Sequence, residues 1–282
     1  MLWFRRAGRS PNAAAHPDAI VPAEPPLALD ADRFARHFGD LVRVLEGAGG
    51  AEVWLERLAA KQRLFARALE AAREGALGLD GAEELLGRVF TARRWLYPPL
   101  AALGSERVAA RLAELAGGAA PLAARMRAFA DALAQSAAAA PARVRRAAWD
   151  FAAELLHFGD PARYPLMSRW VWDRATQSGA LREFVRGAEA LAEMPFDDSP
   201  ELFEGTRRWI AERVAERGLY REVPLWTDLV LAQAYTGYLR SIAQGSLGAG
   251  FGGALAPREQ LVKLLGLDAG ARVRKTAPAG RA

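Results

Sequence analysis

Residues 142–157 read Ala142-Arg143-Val144-Arg145-Arg146-Ala147-Ala148-Trp149-Asp150-Phe151-Ala152-Ala153-Glu154-Leu155-Leu156-His157. Val144, Trp149, Phe151, Ala152, Leu155 and Leu156 leave the pattern nearly apolar on all sides, the mark of a helix buried in a core. Such a helix needs apolar neighbours, and the flanking sequence supplies them as further helices. Asp30 or Asp32 caps one in which Phe34, Phe38, Leu41 and Leu45 recur at helical spacing, with Gly47, Gly49 and Gly50 as its stop. From Glu52 to Arg73, Val53, Leu55, Leu58, Phe65 and Leu69 share one side of a long helix. Asp80 caps a short one containing Leu85, Leu86, Val89 and Phe90, and Pro98-Pro99 breaks the chain. Ser105 opens a helix through Leu115, and Pro121 opens another carrying Leu122, Met126, Phe129 and Leu133.

Beyond the alanine-rich connector from Ser136 to Pro141, helices are expected at about 166–175, 179–193, 199–217, 223–244 and 257–266. Strand signals are scarce, with one short pair conceivable at Leu219-Tyr220 and Glu222-Val223. Aromatic and proline punctuation does not recur at a fixed period, which argues against a solenoid. The reading is all-α: a compact multi-helix globular domain of roughly ten helices with short connections. Residues 1–30 form a proline-rich flexible segment, 31–135 and 136–270 two helical subdomains, and 271–282 a short basic tail.

The 282 residues are 51% hydrophobic and 25% charged, ordinary values for a globular chain able to bury its own core. There are no cysteines, which excludes disulfides, thiolate-held clusters and a cysteine nucleophile. His16, His37 and His157 are the only histidines, too far apart in sequence to suggest a metal site. The net charge is +5, and arginine supplies all but Lys61, Lys263 and Lys275 of the 38 basic residues. Guanidinium groups suit phosphate and carboxylate, although a GC-rich genome produces the same bias. No run reaches the ~18 apolar residues of a membrane span, and Arg5-Arg6 is followed by no apolar signal region. A cytoplasmic location is expected.

The most individual segment is Leu155-Leu156-His157-Phe158-Gly159-Asp160-Pro161-Ala162-Arg163-Tyr164-Pro165-Leu166-Met167-Ser168-Arg169-Trp170-Val171-Trp172-Asp173. Gly159 is expected to end the buried helix in the left-handed conformation, Pro161 to prevent its continuation, and Tyr164-Pro165 to force an extended step. This arrangement resembles the region that carries the catalytic aspartate in helix-hairpin-helix DNA glycosylases. The likeness covers about thirty residues, Arg143 to Asp173. Met167 stands where that family has its aspartate, Pro141-Ala142-Arg143-Val144 where it has hairpin glycines, and Arg145-Arg146 where some members have a lysine. The resemblance therefore implies a helical scaffold without the chemistry.

Within this segment His157, Asp160, Tyr164, Arg169, Trp170, Trp172 and Asp173 are the candidate functional residues. His157 is either a general base, with Asp160 or Asp173 as its carboxylate partner, or a capping or packed core residue. Trp170 and Trp172 are either stacking planes or core anchors. Arg143, Arg145, Arg146 and Arg174 are the candidate anion- or nucleic-acid-binding groups. Gly245, Gly248, Gly250, Gly252 and Gly253 read as a hinge or lid, since no Gly-Lys-Ser/Thr follows. The acidic stretch Glu183, Glu189, Glu193, Asp197, Asp198 and Glu201 forms no Glu-x-x-His signature of helical di-iron sites.

No complete catalytic set, cofactor motif or metal-ligand set is legible. The expectation is a non-enzymatic helical interaction or accessory protein whose partner is another protein. The alternative is a nucleic-acid-associated protein on a degenerate glycosylase-like scaffold, binding through an Arg/Trp surface.

Overall fold

The computed structural model describes residues 20, 29–187, 199–245, 256–268 and 273–276. Most of the proline-rich lead-in, the glycine-rich run from Ser246 to Gly253, the acidic positions Glu189, Glu193, Asp197 and Asp198, and much of the basic tail lie outside them. The described residues form ten α-helices and one 3₁₀ helix, with two isolated β-bridges and no strand. The all-α reading holds. None of these helices is long and apolar enough to cross a membrane.

The helices are α1 (Ala31–Glu46), α2 (Ala51–Arg73), α3 (Leu79–Leu86), α4 (Tyr97–Leu103), α5 (Ser105–Gly117), α6 (Leu122–Gln135) and α7 (Pro141–Gly159). After the 3₁₀ turn Ala180–Phe184 come α8 (Pro200–Ala215), α9 (Val223–Gly245) and α10 (Pro257–Leu264). Helix α7 lies against α6 and α2, which in turn pack on α5. Helix α9 is the second axis, surrounded by α1, α8, α10 and the 3₁₀ turn. One cluster of buried side chains runs through both groups, from Phe34 to Leu267.

Local chemistry accounts for the elements. The Asp30 carboxylate accepts from the Asp32 and Arg33 amides at 2.9 and 3.2 Å and caps α1. Phe34, His37, Leu41 and Leu45 then point inward. In α2 the buried stripe is Trp54, Leu58, Lys61, Phe65 and Leu69, whereas Val53 is exposed. The larger indole decides the helix phase. Helix α3 is capped from a distance, its Leu79 amide donating to the Ser105 hydroxyl at 3.1 Å, while Asp80 lies within the first turn and Phe90 beyond the helix end.

Two expectations fail, each for a reason of packing. Residues 166–175 are not helical: Trp170, Val171 and Trp172 are all buried in succession, which a helix facing solvent on one side cannot do. Their backbone is satisfied instead by a return of the chain, with Ala180 N–H donating to Trp170 O at 2.9 Å and Leu181 N–H to Val171 O at 3.1 Å. Gly179, at φ 128°, makes this return possible, since a Cβ there would lie 2.5 Å from Val171 O. Of the helix expected at 179–193, the described part up to residue 187 holds only the 3₁₀ turn, after which Val185 is extended and bridges Leu29; residues 188–193 lie outside the described residues. The pair at 219–223 forms no strand, and Tyr220 is exposed.

Gly159 is also reassigned. It is the last residue of α7 but lacks a left-handed φ, and the chain turns at Asp160 with φ −152°. Glycine is needed because a Cβ would lie 2.7 Å from Leu69 Cδ2 and 2.8 Å from Leu69 Cβ, so it sets how closely α2 and α7 approach. Gly159→Ala is predicted to cost about 1–3 kcal/mol of stability, read as a lower urea midpoint at unchanged slope. An unaltered midpoint would show that the helices are not in contact there.

Candidate functional site

Two neighbouring features of α7 define the site: an open cleft on its N-terminal half and a line of buried polar groups along its length. The cleft has a volume of about 530 Å³. Helix α6 contributes Arg127, Ala130 and Asp131, α7 contributes Arg145, Arg146 and Trp149, α8 contributes Phe203, and the segment after α7 contributes Arg169 and Trp172 to Ala175. Ala130, Trp172 and Phe203 are buried and form its apolar floor, beside the half-buried Trp149, while Arg127, Arg145, Arg146 and Arg174 are exposed around it.

Five guanidinium groups thus face two carboxylates. Arg145 is held by Asp131 at 2.9 Å. Arg127, Arg146 and Arg174 have no carboxylate partner among the described residues. Arg169 lies 3.9 Å from Asp150 and 3.8 Å from Asp173, too far for a hydrogen bond from its side chain to either. Two consecutive residues of α7 fix the wall that carries it. The Trp149 indole N–H donates to Met167 O at 2.8 Å, and the Asp150 carboxylate accepts the Arg169 backbone N–H at 2.8 Å.

Asp150, Glu154 and His157 occupy positions i, i+4 and i+7 of α7, and all are buried to within 1%. Glu154 Oε2 accepts from Lys61 Nζ of α2 at 2.7 Å, and the same ammonium donates to Leu265 O at 2.9 Å. It also lies 3.7 Å from the centre of the Phe158 ring. Burial pushes the Lys61 amine down and the Glu154 carboxyl up, each opposed by the attraction of the other. His157 Nδ1 meets Tyr164 O at 2.8 Å; a carbonyl only accepts, so that nitrogen donates. Its Nε2 meets Asp228 Oδ1 of α9 at 3.0 Å. Beside this pair a void of about 10 Å³, lined in part by Thr206 and Thr227, has room for one water. Asp228 lines that void, and its Oδ2 has no hydrogen bond among the described residues.

The sequence candidates divide accordingly. Arg145, Arg146, Arg169, Trp172, Asp173 and Arg174 come together in the cleft. Arg143 lies off it, with its guanidinium 5.1 Å from the Trp95 ring centre. Trp170 is a core residue packed on Tyr235, and Tyr164 is buried with its carbonyl on His157. Asp160 ends α7 and accepts the Arg163 and Tyr164 amides through its backbone. His157 is sealed from solvent, and its carboxylate partner is Asp228 rather than Asp160 or Asp173.

Sequence reasoning missed Arg127, Asp131, Phe203, Asp150, Lys61 and Asp228. It also missed that Glu154-Leu155-Leu156-His157 has the Glu-x-x-His spacing. Here that spacing serves an ion pair and a histidine–aspartate pair, and the described residues contain no group of three or more ligands placed to hold a metal. A polar residue every turn of an otherwise apolar helix was the available signal. Searches against family models, curated proteins and solved structures give no significant match.

Removing Lys61 alone strands a buried carboxylate. Lys61→Met is predicted to lose about 3–5 kcal/mol, and Lys61→Met with Glu154→Leu to recover most of it; equal losses in chemical denaturation would show that the pair is not coupled. Burial raises the Asp150 carboxyl to about 6 against the attraction of Arg169. The folded state therefore holds a proton that the unfolded state releases near 4, and stability from this group falls as pH rises from about 4 through 6. Asp150→Asn keeps an oxygen for the Arg169 amide and is predicted to stabilise the fold at pH 8, by at most about 3 kcal/mol. A lower melting temperature for the variant at that pH would contradict this.

Proposed function

We propose that the protein is a non-enzymatic accessory protein that binds nucleic acid, with an unpaired nucleotide held in the Arg/Trp cleft. The observation that carries this reading is the joining of an apolar, indole-walled floor to a rim of arginines, three of them without a carboxylate partner among the described residues. A base and a phosphate need those two surfaces side by side: the base is sequestered against aromatic groups, and the phosphate takes bidentate guanidinium contacts. The volume of about 530 Å³ suits a guest of nucleotide size.

The likeness of the 143–173 segment to helix-hairpin-helix DNA glycosylases favours the same ligand class. Binding rather than turnover is the better reading of the side chains. Met167 takes the place of that family's aspartate and is buried to 1%. His157, the one general-base candidate of the segment, is enclosed by its two hydrogen bonds.

Titration of a labelled single-stranded oligonucleotide tests the proposal. Affinity is predicted to fall steeply with salt, because each neutralised phosphate releases counterions. Arg146→Ala with Arg174→Ala is predicted to weaken binding at least roughly tenfold and reduce the salt slope by about two, at unchanged melting temperature. Unchanged affinity in the double variant would reject this cleft as the binding surface.

A further inference from the structure

We propose that Asp150 is the positioning residue of the cleft and that it couples anion binding at Arg169 to the uptake of one proton. The inference rests on the anion-binding reading of the cleft and adds its regulation. Three observations carry it. The Asp150 carboxylate accepts the Arg169 backbone N–H at 2.8 Å and so fixes the strip of chain that presents this arginine. The Arg169 guanidinium lines the cleft, and its Nε, with no hydrogen bond among the described residues, lies 3.9 Å from the same carboxylate. Asp150 itself is 1% exposed, so water screens its charge little.

One arginine therefore stands between two anions, Asp150 behind it and a phosphate in front. While Asp150 is ionised, it holds part of the field of Arg169; once protonated, it leaves that charge to the ligand. The protonated carboxyl retains a carbonyl oxygen for the Arg169 amide, so the wall keeps its place. Among the other groups around Asp150, Glu154 favours the protonated form and the Thr91 hydroxyl favours the ionised one. Glu154 lies one turn along α7, already paired with Lys61, and adds negative potential, and Tyr235 of α9 is close enough to feel the Asp150 charge. Asp173, on the far side of Arg169, draws on the same guanidinium. With the Asp150 carboxyl raised to about 6, a bound phosphate that competes for Arg169 raises it further, and a proton enters with the ligand.

The test is binding between pH 5.5 and 8 at constant ionic strength, with two probes whose charge is constant over that range: a labelled single-stranded oligonucleotide, and inorganic sulfate followed by tryptophan fluorescence. Wild-type affinity is expected to weaken roughly tenfold from pH 5.5 to 7.5. Asp150→Asn is expected to bind at pH 7.5 as the wild type does at pH 5.5, with a flat profile. Arg169→Gln, which keeps Asp150 but removes the shared charge, is expected to bind more weakly and also without pH dependence. Calorimetry in two buffers of different ionisation enthalpy should record proton uptake in the wild type and none in Asp150→Asn. A wild-type profile without pH dependence, or an Asp150→Asn profile that keeps it, overturns the inference. Oligonucleotide binding that is independent of pH leaves the nucleic-acid reading intact and removes the coupling. Sulfate binding with the expected profile but no oligonucleotide binding keeps the coupling and rejects the ligand class. Failure of both probes rejects both.

Discussion

The structure depends on the side of α7 that carries Asp150, Glu154 and His157. Each of the three reaches a different part of the chain: the loop at Arg169, Lys61 of α2, and Asp228 of α9. Taking such groups out of water costs several kcal/mol per ion, which their pairing returns only at good geometry. A purely apolar α7 could rotate or slide by a fraction of a turn and keep most of its burial. With three polar groups at fixed heights, any such shift strands a buried charge. The ladder thus specifies one placement of α7 against α2, α9 and the segment that follows it.

The cleft inherits that placement. Its arginines on α6 and α7 stand on helices fixed in the core, and its remaining wall is stapled to α7 through Trp149 and Asp150. A surface that must present several guanidinium groups to one ligand gains from being set in advance, because little conformational entropy is then lost on binding. On the rim, Arg145 is paired with Asp131 and is held in position by it. Arg127, Arg146 and Arg174 have no carboxylate partner among the described residues, and a cleft with apolar walls concentrates their field.

Most helices were legible because their signal is local: apolar residues at i, i+3 and i+4, closed by glycine or opened by proline. The course of residues 166–175 was not, since it is decided by hydrogen bonds to Trp149 and Asp150 of α7 and by the return through Gly179. Gly159 looked like a helix stop and proved to be a contact with Leu69, some ninety residues earlier. Half of the cleft was visible as the clustering of Arg145, Arg146, Arg169, Trp172 and Arg174. The other half, Arg127 and Phe203, joins it only through the packing of α6 and α8. The polar ladder was missed for a related reason. Lys61 precedes Glu154 by 93 residues, and Asp228 follows His157 by 71, so neither pairing has a local trace.

The most direct test is a proton–nitrogen NMR spectrum of the eight indole N–H groups during addition of a single-stranded oligonucleotide. The account predicts that the signals of Trp149 and Trp172 shift together and saturate, while those of Trp54 and Trp170, buried away from the cleft, stay in place. Saturable binding with Trp149 and Trp172 unmoved would place the ligand elsewhere and contradict it.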